Sequence, residues 1–213
     1  MTAKAVFFIG GGSAQELESV YETMARYIKP SDHVLVIPFA TEISRYEPCF
    51  DGVLLPFAQI GINRLSLLSI HENTETMIRK MESSQVLYFA GGLPDRLLER
   101  LEQKRIVDAI KAHSGILIGF SAGALAFCKD CIITKDEDYP QTKVVNGLGI
   151  VEFSVEVHYK QAIDEELYGL SDRRPIYALP NGSALHWNGS CMMPINQVIR
   201  FERGEKIECI HPH

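Results

Sequence analysis

The chain has 213 residues, 46% of them hydrophobic and 23% charged, with a formal net charge of -6. That length suits one domain over residues 1–213 with a core that needs no disulfides or metals. The acidic balance argues against nucleic-acid or anionic-membrane partners, and no apolar stretch approaches the roughly 18 residues of a membrane span. The segment MTAKAVFFIGGG reads as a first strand and not as a secretory leader, so the expected location is the cytoplasm.

Apolar runs rich in Val, Ile, Leu and Phe recur at 5–9, 33–38, 64–68, 85–90 and 116–119. Between them lie stretches of helical spacing. Residues 15–28 place Leu17, Val20, Met24 and Ile28 on one face, and residues 96–111 do the same with Leu97, Leu98, Leu101, Ile106 and Ile110. Strands apolar on both faces, alternating with helices, describe an α/β fold: a mostly parallel central sheet flanked by helices on both faces. Beyond residue 130 the runs at 131–134, 151–158 and 176–179 predict further strands, with one more helix near 162–168.

Two glycine-rich loops leave predicted strands. Gly10-Gly11-Gly12-Ser13 lacks the third glycine of a dinucleotide fingerprint, where Gln15 stands, and the lysine of a P-loop. It reads as a tight turn beside the site, and no cofactor is expected. Ala90-Gly91-Gly92-Leu93-Pro94 enters a helix with Pro94 suited to its first position. Cys128-Lys129-Asp130-Cys131 has no second ligand pair for a metal and follows a helix, so ordinary reduced thiols are the reading.

Gly119-Phe120-Ser121-Ala122-Gly123 fits the G-x-S-x-G of a nucleophile elbow, between a predicted strand and a predicted helix. A serine needs a base. His211 and His213 sit at the terminus, His71 and His113 border helical segments, His33 opens a strand and His186 lies in a turn-rich stretch. His158 ends a strand at the rim of the sheet and is the best base. Asp136 is a candidate to orient its imidazole, and Glu156, on the same side of the strand as His158, is the alternative acid.

Pro38-Phe39-Ala40, AGGLPDRLL at 90–98, GFSAGA at 119–124, GLGIVEFSVEVHY at 147–159 and ALPNGSALHWNG at 178–189 together resemble the dipeptidase E and cyanophycinase family of serine peptidases (peptidase family S51). The resemblance spans most of the chain. It implies a class I glutamine amidotransferase-like fold, a flavodoxin-like three-layer sandwich. It also implies Ser121 as nucleophile, His158 as base, Asp136 as acid, and the amides of Gly92 and Ala122 as oxyanion hole. Two departures stand out. Leu93-Pro94 replaces the Asn-Thr that usually follows the glycine pair. The stretch after the histidine, Tyr159 to Glu166, lacks the arginine by which relatives of the dipeptidase E type hold an acidic side chain. The expected activity is therefore exopeptidase cleavage of short peptides without a preference for N-terminal aspartate, by a monomer or homodimer. An esterase or amidase, or a scaffold that binds without turnover, are the alternatives.

Overall fold

The computed structural model describes residues 5–209. In chain order the elements are β1 (Ala5–Ile9), α1 (Glu18–Met24), β2 (Val34–Ile37), α2 (Tyr46–Gln59), β3 (Leu65–Leu67), α3 (Thr74–Ser83), β4 (Val86–Phe89), α4 (Pro94–Gln103), α5 (Val107–Ala112), β5 (Ile116–Phe120) and α6 (Ala122–Phe127). Then follow β6 (Asp130–Ile133), β7 (Lys143–Asn146), β8 (Ser154–Val157), α7 (Asp164–Leu170), β9 (Ile176–Leu179), β10 (Ala184–Trp187), β11 (Met192–Ile195), β12 (Val198–Glu202) and β13 (Glu205–Cys209).

The main sheet runs β11-β10-β1-β5-β4-β2-β3. Strands β1 to β5 are mutually parallel, and β10 and β11 add an antiparallel edge. Alternation along each strand feeds two cores, as a sheet covered on both faces requires. Ala5, Phe7 and Ile9 of β1 meet Val20 and Met24 of α1 and Phe57 of α2. Val6 and Phe8 point the other way, to the core of Met77 and Met81 (α3), Leu97 and Leu101 (α4), Ile110 (α5) and the alanines, Leu125 and Phe127 of α6.

The helical stretch read at 96–111 is two helices. Leu97 and Leu101 are four apart, but Ile106 follows Leu101 by five, which rotates it off a continuous helical stripe. Arg105 takes φ 54 and breaks the chain there, and Ile106 returns to the core fully buried. The late strands do not all join the main sheet. β13-β12-β9-β8 form a second, four-stranded sheet, and β6-β7 a two-stranded ribbon. One face of the second sheet, with Val155, Tyr177 and Val198, packs into the α6 core. Its other face, with Ile176, Ala178 and Phe201, is covered by Leu167 of α7. β8 and β9 run parallel and end beside the carboxyl ends of β1 and β5, which is the edge where open α/β sheets place their sites. Among the described residues no helix is long and apolar enough to cross a membrane.

Candidate active site

Ser121 sits between β5 and α6 at φ 50, ψ -109, a conformation that side chains rarely adopt. Its N–H is fixed to the Ile9 carbonyl (2.9 Å), and its own carbonyl accepts from Ala124 and Leu125, starting α6. The flanking glycines are steric necessities. A Cβ on Gly119 would stand 2.5 Å from the Ala124 nitrogen, and one on Gly123 would overlap the Phe89 carbonyl. Strand and helix approach so closely that only hydrogen fits, and the turn is left sharp enough to project the Ser121 hydroxyl.

That hydroxyl lies 2.9 Å from His158 Nε2. His158 follows β8 at φ 52, with its N–H on the Gly10 carbonyl at 2.7 Å. Its Nδ1 is 2.7 Å from Asn181 Oδ1, in the turn between β9 and β10. The same glycine loop that holds His158 holds this turn. Gly10 donates to Ser183 and Gly182 donates to Gly11, each at 2.9 Å. The imidazole and the Asn181 amide are thus both referenced to the end of β1.

The glycine-rich loop is a turn that packs against the site. Gly11 has φ 119, and a Cβ there would overlap the His158 ring. The next donor, Ser13 N–H, is taken by the Glu16 carboxylate at 2.7 Å, while Glu16 N–H returns to Ser13 Oγ. These reciprocal bonds close the turn at 14–17 that leads into α1. The serine bonds hold the Glu16 carboxyl below its usual range, which leaves an anion where a bound phosphate would be repelled.

Asp136 and Glu156, the two acids expected as third member, share a depression with His158, but among the described residues neither hydrogen-bonds the imidazole. Asp136 Oδ1 accepts from the backbone of Asp138 (2.9 Å) and Tyr139 (2.8 Å), closing its own turn. Short acidic side chains in turns bond locally in this way. Glu156 is 4% exposed, and its Oε1 accepts from Thr134 Oγ1 at 2.9 Å. Burial raises its pKa to about 8, so near neutral pH it is largely an acid and not an anion. Asn181 was missed by sequence reasoning. Its only local signal is the turn Pro180-Asn181-Gly182, and the link to His158 spans 23 residues.

Two depressions meet at the Ser121–His158 pair. One, of 460 Å³, lies between α1 and α2 and includes Tyr21, Arg45, Cys49, Tyr88 and Gly91. The other, of 310 Å³, lies against β8 and includes Leu93, Lys135, Asp136, Glu156 and Lys160. Gly92 borders both. Arg45, in the short 3-10 turn at Ile43–Arg45, is a cation that sequence reasoning did not place near the site. Arg174 is engaged by Asp130 at 2.9 Å. Of the remaining histidines, His186 is stacked on Phe7 and fully buried, and burial lowers its pKa to about 4. His33 bonds Ser66 and Ser84. His211 and His213 lie outside the described residues.

Cys128 and Cys131 are free and fully buried, and burial pushes both thiols up, Cys131 to about 12. That disfavours the thiolate that redox exchange or metal binding would use.

A strained serine bonded to a histidine beside glycine amides has the makings of nucleophilic hydrolysis, and comparison with known sequences gives its class. The chain belongs to peptidase family S51, whose sequence model matches residues 6–194, and is thereby a serine peptidase. It is 25% identical over 197 residues to the peptidase E of a Nostoc species, covering 84% of this chain and 80% of that protein. It is 24% identical over 153 residues to the peptidase E of Salmonella arizonae, covering 70% of this chain and 65% of that one. The crystal structure of a peptidase from an acI-B1 Actinobacterium shares the fold, with TM-score 0.74 and 15% identity over 99% of this chain and 96% of its own.

Proposed function

We propose that this peptidase is a single-domain exopeptidase that hydrolyses short peptides, with Ser121 as nucleophile and His158 as general base. The observation that carries the reading is the 2.9 Å contact between the Ser121 hydroxyl and His158 Nε2, on an elbow whose backbone is held at φ 50. His158 takes the hydroxyl proton as Ser121 attacks the scissile carbonyl, then delivers it to the leaving amine, and water resolves the acyl-enzyme. Such proton transfer is worth about 10²–10⁴ in rate.

The developing oxyanion is assigned to the N–H groups of Gly92 and Ala122. The first lies on the glycine loop after β4 and the second follows the serine. Neither N–H has an acceptor among the hydrogen bonds of the described residues. One such donor contributes roughly 2.7–4 kcal/mol. Depressions of 460 and 310 Å³ on either side of the serine suit a short peptide. The likeness to proteins named peptidase E supports the same substrate class. Free cysteines throughout support a reducing, cytoplasmic setting.

A fluorophosphonate probe followed by peptide mapping tests the reading. Labelling is expected at Ser121, and Ser121→Ala should lose both labelling and dipeptide hydrolysis while keeping its circular dichroism. Hydrolysis retained in Ser121→Ala would end it.

A further inference from the structure

The group facing His158 Nδ1 is an amide and not a carboxylate. We infer that Asn181 is the positioning residue of the catalytic pair, so that this chain works with a neutral triad, Ser121, His158 and Asn181. The inference rests on the proposed roles of Ser121 and His158.

Three features carry it. First, Asn181 Oδ1 stands 2.7 Å from Nδ1. A carbonyl oxygen only accepts, so Nδ1 holds the proton, and the Nε2 lone pair is left facing the serine hydroxyl. That is the tautomer a general base needs. Second, the oxygen's position is built in. The Pro180–Ser183 turn closes on itself through Ser183 N–H to the Pro180 carbonyl at 3.1 Å, and is tied to Gly10 and Gly11. Asn196 Nδ2 adds a bond to the Gly182 carbonyl at 2.6 Å. Third, no carboxylate among the described residues hydrogen-bonds the imidazole. The charged or titratable groups lining the two depressions beside it include Arg45, Lys135, Asp136, Asp138, Glu156 and Lys160. Asp136 bonds its own turn and Glu156 bonds Thr134.

The chemical consequence is specific. An amide fixes the ring and its tautomer, as in the Cys-His-Asn peptidases, but gives the imidazolium formed during proton transfer no ionic partner. The base therefore keeps its orientation with an uncharged partner at Nδ1.

The test uses the full chain, with ¹⁵N NMR of the His158 ring alongside the pH dependence of dipeptide hydrolysis. The wild type is expected to show the Nδ1–H tautomer. Asn181→Ala should lose that preference and lower kcat about 10²-fold with little change in KM. Asn181→Asp keeps an acceptor and adds a charge, so the acid limb of its kcat/KM profile should move up by about 1–3 pH units. A residue that merely shaped the turn would leave tautomer and profile alone. An Nε2–H tautomer in the wild type, or an unmoved limb in Asn181→Asp, would overturn the inference. If Asn181→Ala fails to fold, the wild-type tautomer and Asn181→Asp decide. If no substrate is turned over and no fluorophosphonate label is taken, the hydrolase reading fails instead, and the NMR result still decides the placement of Asn181.

Discussion

The two sides of His158 are built on opposite plans. On the β1 side, backbone bonds from Gly10 and Gly11 hold both the histidine and the Asn181 turn, with one side-chain bond added by Asn196. On the β6 side lie carboxyls in plenty, yet the two nearest candidates are committed elsewhere, Asp136 to the backbone of its own turn and Glu156 to Thr134. Proximity of acids in a sequence is therefore a poor guide to which group serves an imidazole. What decides is which segment shares the histidine's backbone anchor. Substitutions on the first side should strike the chemistry, and those on the second should not.

Gly11→Ala is the most damaging change this comparison predicts. The position combines φ 119 with a Cβ that would overlap the His158 ring, so the new residue must strain its backbone and displace the base. A misplacement of about 1 Å in a catalytic group costs on the order of 10² in rate. The expected outcome is a loss of kcat of at least that size together with a lowered Tm. Unimpaired turnover would mean that the imidazole is not held by this loop.

Next in size is selectivity. An acidic substrate side chain buried in a cleft needs a cation, best an arginine fork. The β8 depression holds Lys135 and Lys160 among the carboxyls of Asp136, Asp138 and Glu156, whereas Arg45 lines the depression between α1 and α2. With the N-terminal side chain in the β8 depression, comparing kcat/KM for Asp-Leu, Ala-Leu and Lys-Leu should show no advantage for aspartate. If aspartate leads by more than tenfold, about 1.4 kcal/mol, repeating the comparison in Arg45→Gln and Lys160→Gln identifies the cleft responsible.

Asp136→Asn should cost less than tenfold in kcat. The amide retains an Oδ1 acceptor for the Asp138 and Tyr139 N–H groups, so the turn survives. In the best-studied triad, changing the orienting aspartate to asparagine costs about 10⁴. A loss of that order here would place Asp136 against the base during turnover.

The parallel half of the main sheet was legible because buried strands carry continuous apolar runs with a helix between each pair. The elbow was legible because its constraints are local: Gly119, Ser121 and Gly123 lie within five residues. α2 was not, since Pro48 and Pro56 argue against a helix, although the first stands in its opening turn and the second at its last, buried on one face. The second sheet was hidden because β8, β9 and β12 pair across long connections, and short runs do not announce their partners. Asn181 was hidden for the same reason.

The smallest effect should be at Glu156, and it should appear in stability and not in turnover. Its carboxyl is buried with one hydrogen bond among the described residues, from Thr134, and burial raises its pKa from 4.5 to about 8. The unfolded chain releases this proton near 4.5 while the folded chain holds it to about 8. Folding therefore retains an extra proton across that window, so stability falls as pH rises through it and levels off above. Glu156→Gln removes the titration while keeping an oxygen that can accept from Thr134. Its Tm relative to wild type should consequently climb between about pH 5 and pH 8, with kcat little changed, in thermal melts run across that range. A Tm difference that stays flat with pH would show that Glu156 is already ionised in the fold, and would place a buried negative charge beside the cleft.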